Sequence, residues 1–208
     1  MKTLLIVNAS LNQDDSHSRQ LAAELQAGWL AIHPQGRVIQ RDVGAAPPPH
    51  LDIETVTAFY TEPDRRDEAT QRLIALSDQL VAELQAADEV VIATPMYNFS
   101  VPSGLKAWID LICRVGVTFR YTEHGPEGLL HGKRGLIIAT RGGRYAAGAP
   151  AAAANHQDPY LRTVLGFVGI DDVTVVAAEG LSAGRDGFEQ AQQQLQRCLQ
   201  VPEAALVD

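Results

Sequence analysis

Apolar residues gather along this chain in short continuous runs, separated by longer stretches where they recur every three or four positions. Leu4-Leu5-Ile6-Val7 is the first run, and Glu89–Ala93, Gly135–Ala139 and Val173–Glu179 resemble it. Runs of this length, rich in β-branched residues, read as parallel strands buried on both faces. Arg37–Asp42 alternates polar and apolar instead, as an edge strand does. Helical spacing fills the gaps. Leu21, Leu25, Trp29 and Leu30 mark a helix beginning near Ser18. Helical patterning covers Thr55–Tyr60, then Asp67–Gln85, where Leu73, Leu76, Leu80, Val81 and Leu84 form the buried face. Leu105, Trp108, Ile109 and Ile112 mark a helix over Pro102–Val115, and further helices are expected at Pro159–Phe167 and Asp186–Leu199. Five strands alternating with helices predict an α/β fold. It is a three-layer sandwich with a five-stranded parallel sheet of order 2-1-3-4-5.

The segments outside this pattern are loops and one projection. Ala45–His50, with three prolines, is a stiff surface connector rather than a domain linker. Gly116–Glu123 alternates with Phe119 and Tyr121 on one side, and Gly125, Pro126 and Gly128 mark turns, so a hairpin or flap is expected there. Ala146–Ala154 reads as a mobile loop, and the tail after Pro202 is expected to fray. No internal repeat or linker divides the chain, so residues 1–208 are expected to form one domain.

Composition narrows the function. The chain has 208 residues and a formal net charge of −8, which argues against nucleic-acid or anionic-membrane partners. The opening Met1–Val7 is too short for a signal peptide, and no apolar run approaches a membrane span. Cys113 and Cys198 read as reduced thiols, and a cytoplasmic location is expected. No histidine pairs with another at metal-ligand spacing, and no Gly-x-Ser-x-Gly elbow is present, so no metal site is expected.

In an open α/β sheet of this order, ligands bind at the C-terminal strand ends, where the loops after strands one, three and four converge. The first loop leads into a helix and carries Ser10, Ser16 and Ser18. Hydroxyls at a helix N-terminus suit a phosphate, although capping alone also explains Ser16 or Ser18. Asp14 and Asp15 must then point outward. His17 stands close enough to approach the phosphate, or else is a solvated loop residue. The second loop, Pro95-Met96-Tyr97-Asn98-Phe99, offers two stacking rings and an amide that donates and accepts. Its N–H groups from Met96 to Val101 lie beyond the sheet and are available to a ring edge. An ordinary loop packing its aromatics on the core is the alternative. The third loop, Thr140-Arg141-Gly142-Gly143, permits close backbone approach, or is a plain glycine turn. One phosphate plus one polar-edged aromatic ring describes FMN. Arg120 and Arg141 are either attractants for dinucleotide phosphates or paired surface charges.

The run Pro95-Met96-Tyr97-Asn98-Phe99-Ser100-Val101-Pro102, with Gly104-Leu105-Lys106, resembles the FMN-dependent NADH azoreductases, also described as NADH:quinone oxidoreductases. The likeness continues through Val117–Thr122, Gly125–Leu129, Arg141-Gly142-Gly143, Pro159-Tyr160-Leu161 and Leu165–Ile170, nearly the whole chain in order. It implies a homodimeric, flavodoxin-like reductase that oxidises NADH and reduces quinones and azo compounds by ping-pong hydride transfer through flavin N5. It implies FMN phosphate binding by Ser10, Ser16 and Ser18. It further implies a flavin ring held by Met96–Phe99 and Thr140–Gly143, and a substrate pocket lined by Tyr121 and Phe167 near the dimer interface. Two departures stand out: Thr140 where the family commonly has serine, and a longer, alanine-rich Tyr145–His156 stretch. A flavodoxin-type electron carrier is the alternative, and the aromatic flap speaks against it.

Overall fold

A computed structural model describes residues 1–200; the expected frayed tail lies outside the described residues. The elements follow as β1 (Thr3–Asn8), α1 (His17–Ile32), β2 (Arg37–Asp42), α2 (Ile53–Phe59), α3 (Glu68–Ala86) and β3 (Glu89–Pro95). Next come α4 (Ser103–Ile112), β4 (Phe119–Thr122), β5 (Gly125–Gly128), β6 (Arg134–Thr140), α5 (Asp158–Phe167), β7 (Asp172–Ala178) and α6 (Asp186–Gln200).

Five strands pair in parallel in the order β2-β1-β3-β6-β7. Counted over all strands, this differs from the expected 2-1-3-4-5. The chain forms the antiparallel hairpin β4-β5 between β3 and β6, and that hairpin stands outside the sheet.

Strand alternation divides the core in two. Leu5, Val7, Val90, Ile92, Ile137 and Ala139 face one way and pack with α3, α4 and α5. Leu4, Ile6, Val91, Ala93, Ile138 and Val176 face the other way and pack with α1 and α6. Each fully buried Leu or Ile contributes roughly 1.5–3 kcal/mol, so the sheet is held firmly from both faces.

Capping sets three helix starts: Ser16, Asp52 and Asp67 accept N–H groups in the first turns of α1, α2 and α3. Helix α4 ends at Ile112, three residues before the expected Val115. Thr118 is the cause. Its hydroxyl accepts the Arg114 N–H at 2.9 Å and donates to the Ile112 carbonyl at 2.7 Å, which replaces the next helical turn. Among the described residues no helix is long and apolar enough to cross a membrane.

Candidate functional site

Sheet register brings the three loops to one edge. Asn8 lies beside Ala93, and the Ala9 N–H donates to the Ala93 carbonyl at 2.9 Å. Pro95 lies beside Thr140, and the Met96 N–H donates to the Thr140 carbonyl at 2.8 Å. The loops after β1, β3 and β6 therefore leave neighbouring strands at their C-terminal ends, where ligands bind in such sheets.

The first loop wraps the start of α1. Ser10, Ser16 and Ser18 are all buried, and the Ser16 and Ser18 hydroxyls lie 3.2 Å apart. Ser16 is also the N-cap, although its bond to the Arg19 N–H is long at 3.4 Å. Asp14 and Asp15 are exposed, and Asn12 Oδ1 accepts both of their N–H groups, so their carboxylates point to solvent. His17 is half-buried against Phe188, with ring centroids 5.3 Å apart, and is not a freely solvated loop residue. Its Nδ1 is buried without a hydrogen-bond partner among the described residues. Clustered hydroxyls, an unpartnered ring nitrogen and the positive end of α1 together make a set that fits a phosphate.

The second loop is a tight turn. Tyr97 and Ser100 exchange both backbone hydrogen bonds at 3.0 Å, and the two residues between them have positive φ, 48° at Asn98 and 70° at Phe99. That is the type I′ pattern. Asn tolerates this conformation, whereas Phe pays roughly 1–2 kcal/mol for it. The expectation that all N–H groups from Met96 to Val101 are available is corrected, because Met96, Tyr97 and Ser100 spend theirs within the protein. Asn98 and Phe99 find no partner for theirs among the described residues and are exposed at the crest of the turn. Phe99 meets Tyr145 edge-on at 6.4 Å, and its carbonyl accepts the His156 N–H at 3.0 Å.

In the third loop Arg141 is a paired charge, one of the two roles open to it, but it is buried rather than at the surface. Its side chain is 2% exposed and points into the protein. The guanidinium donates to Gln157 Oε1 at 2.9 Å and Glu179 Oε1 at 2.7 Å, and pairs with Asp158. Three of its five donors are spent on these partners, so the side chain helps to build the loop. Gly142 and Gly143 are exposed, with no partner for their N–H groups among the described residues. A Cβ at Gly142 would sit 2.6 Å from Ser182 Oγ, so only glycine fits there without a shift. Arg120 pairs with Glu127 across the hairpin at 2.9 Å.

Gln157 was not legible from the sequence. Fully buried, it donates to the Thr94 carbonyl at 3.0 Å and accepts from Arg141, which joins the β3 and β6 loops. A glutamine before Asp158-Pro159 carries no pattern that announces this. The chain just beyond Ala146–Ala154, the stretch expected to be mobile, is fastened by His156 and Gln157.

Tyr121 and Phe167 do not join these loops. Tyr121, 69% exposed, meets Phe119 at 5.6 Å, and Phe119 meets Phe167 at 4.3 Å. Helix α5 begins beside Arg141 and runs back across the sheet, so its ten residues carry Phe167 about 15 Å away, toward the N-terminal strand ends. Among the described residues no hydrogen bond or ring contact joins either aromatic to Asn98, and the resemblance places their pocket near a dimer interface rather than within one chain.

A family model described as a flavodoxin-like fold matches residues 2–201. The FMN-dependent NADH:quinone oxidoreductase of Azotobacter vinelandii is 48% identical over 190 residues, 91% of this chain and 93% of that protein. FMN-dependent NAD(P)H:quinone oxidoreductase 1 of Pseudomonas aeruginosa is 50% identical over 197 residues, 91% of this chain and 92% of that protein. Among solved structures, an FMN-dependent NADH-azoreductase from Bacillus anthracis in complex with FMN superposes with a TM-score of 0.87 at 25% identity. The match covers 96% of this chain and 98% of that one.

Proposed function

Because this chain belongs to the flavodoxin-like fold family, among its FMN-dependent NADH:quinone oxidoreductases, we propose that it binds FMN and uses NADH to reduce quinones and azo compounds. The observation that carries this is the meeting of three loops on one sheet edge, with buried hydroxyls on the first and open N–H groups on the others. Bound FMN would supply the redox chemistry, two-electron hydride exchange between NADH and the acceptor.

The protein's share is holding and orienting. Ser10, Ser16, Ser18 and His17 would hold the phosphate at the start of α1. Pro95, Met96 and Tyr97 would back the ring, while Asn98 and Phe99 meet its edge. Thr140 keeps the hydroxyl of the usual serine and adds a methyl. The backbone of Gly142 and Gly143 would donate to ring oxygens, stabilising negative charge there. The separation of Tyr121 and Phe167 from these loops supports a homodimer, in which a second copy brings both aromatics over the ring. NADH and acceptor would then take turns in one pocket, and the enzyme would act in the cytoplasm.

Steady-state NADH oxidation by purified, FMN-loaded protein tests the reading. Quinone and azo dye should each sustain turnover, and double-reciprocal plots at several acceptor concentrations should be parallel. A bound flavin that NADH leaves oxidised would favour a simple electron carrier and sink the proposal.

A further inference from the structure

The loop after β1 is fastened from outside by a pair that the phosphate reading leaves unused. Arg19 Nη1 donates to Asp42 Oδ2 at 2.6 Å, and Nη2 donates to Asp42 Oδ1 at 2.8 Å. The same guanidinium reaches the loop itself. Nη2 donates to the Ser10 carbonyl at 2.7 Å, and Nε donates to the Asn12 carbonyl at 3.1 Å. Asp42 in turn accepts the N–H groups of Gly44 at 3.1 Å and Ala45 at 2.8 Å. The turn after β2 is thereby pressed onto the loop after β1. A Cβ at Gly44 would lie 2.1 Å from the Ser10 oxygen and 3.0 Å from Arg19 Nη2. Burial pushes the Asp42 carboxyl up, but hydrogen bonds from Arg19, Ala45 and Gly44 outweigh it and hold the group below its ordinary range.

We propose that Arg19 and Asp42 form a positioning clamp that holds the Ser10–Ser18 loop in its phosphate-receiving shape without touching the phosphate. This rests on the FMN reading above. The donors that the guanidinium turns toward the loop are spent on two carbonyls and a carboxylate, and the carboxylate offsets its charge. What the pair contributes is shape. Residues 11–15 are exposed and have little packing of their own. Fixing them before the ligand arrives moves their ordering cost from binding to folding.

Flavin-fluorescence titration of the apo-protein with FMN and with riboflavin, which shares the ring but lacks the phosphate, separates this role from general damage. Arg19→Ala and Asp42→Asn should each weaken FMN binding by about tenfold while riboflavin affinity stays within about twofold. Arg19→Lys should not restore FMN binding, since a point charge cannot replace the planar fork. If Arg19→Ala does not fold, Asp42→Asn carries the same measurement. Unchanged FMN affinity, or an equal loss for both flavins, would overturn the clamp. So would full rescue by lysine, and so would a loss confined to the Arg19 variants, which would make Arg19 a direct phosphate ligand. A wild-type chain that binds no FMN would instead defeat the functional reading, and the clamp with it.

Discussion

Asn98 shows how backbone and side chain can be confused at a single position. It stands at the first central position of the Tyr97–Ser100 turn with φ of 48°. Alanine there would lose the side-chain hydrogen bonds proposed to FMN and also resist the left-handed backbone, at a cost of roughly 1–2 kcal/mol. Glycine loses only the side chain. Asn98→Gly is therefore expected to keep its melting temperature and to bind FMN about three- to tenfold more weakly, as read by titration. Asn98→Ala should show the same loss together with a lower melting temperature. Equal FMN affinity in Asn98→Gly and wild type would remove the side chain from the site.

Among the elements, strands and helices were legible because their apolar periods were strong: β1, β3 and β6 were visible as continuous runs, and α5 from its spacing and Pro159. Ends were less legible. The early stop of α4 depends on one hydroxyl, Thr118, six residues beyond the last helical position, and no local pattern reports such a bond. The same limit hid Gln157 and left Arg141 open between phosphate attractant and paired charge, because a charge looks alike in sequence whether it faces water or two carboxylates. The end of α4 also carries a measurable consequence. Burial, aided by Asp110, pushes the Cys113 thiol from its ordinary 9.0 up to about 11. Above pH 9 the unfolded chain loses this proton while the folded chain keeps it, so the unfolded state is favoured as pH rises. Stability from this group is complete below pH 9.0 and is lost by about 11. Denaturant titrations across that window should show a falling unfolding free energy, and Cys113→Ala should flatten part of the fall. An identical pH profile in the variant would show that the thiol plays no part.

At the scale of the whole molecule, direction decides what one chain can do. Parallel strands send the loops after β1, β3 and β6 to one edge, and antiparallel return helices send Phe167 and the hairpin toward the other. Two copies can close such a site only by exchanging ends. A mixture of Asn98→Ala and Tyr121→Ala proteins, each weakly active alone, is therefore expected to regain activity after subunits exchange, because mixed pairs contain one site free of both changes. Mixing that restores nothing, or a monomer in sedimentation equilibrium, would count against shared pockets.

The fastening of the alanine-rich segment has a practical corollary. Its far end is joined to the crest at Phe99 and Ser100 through the backbone of His156, and to the strands through Gln157. None of these joints uses a side chain from positions 146–154. That interval is therefore expected to accept replacement like a cassette, while the frame on which it is mounted stays in register.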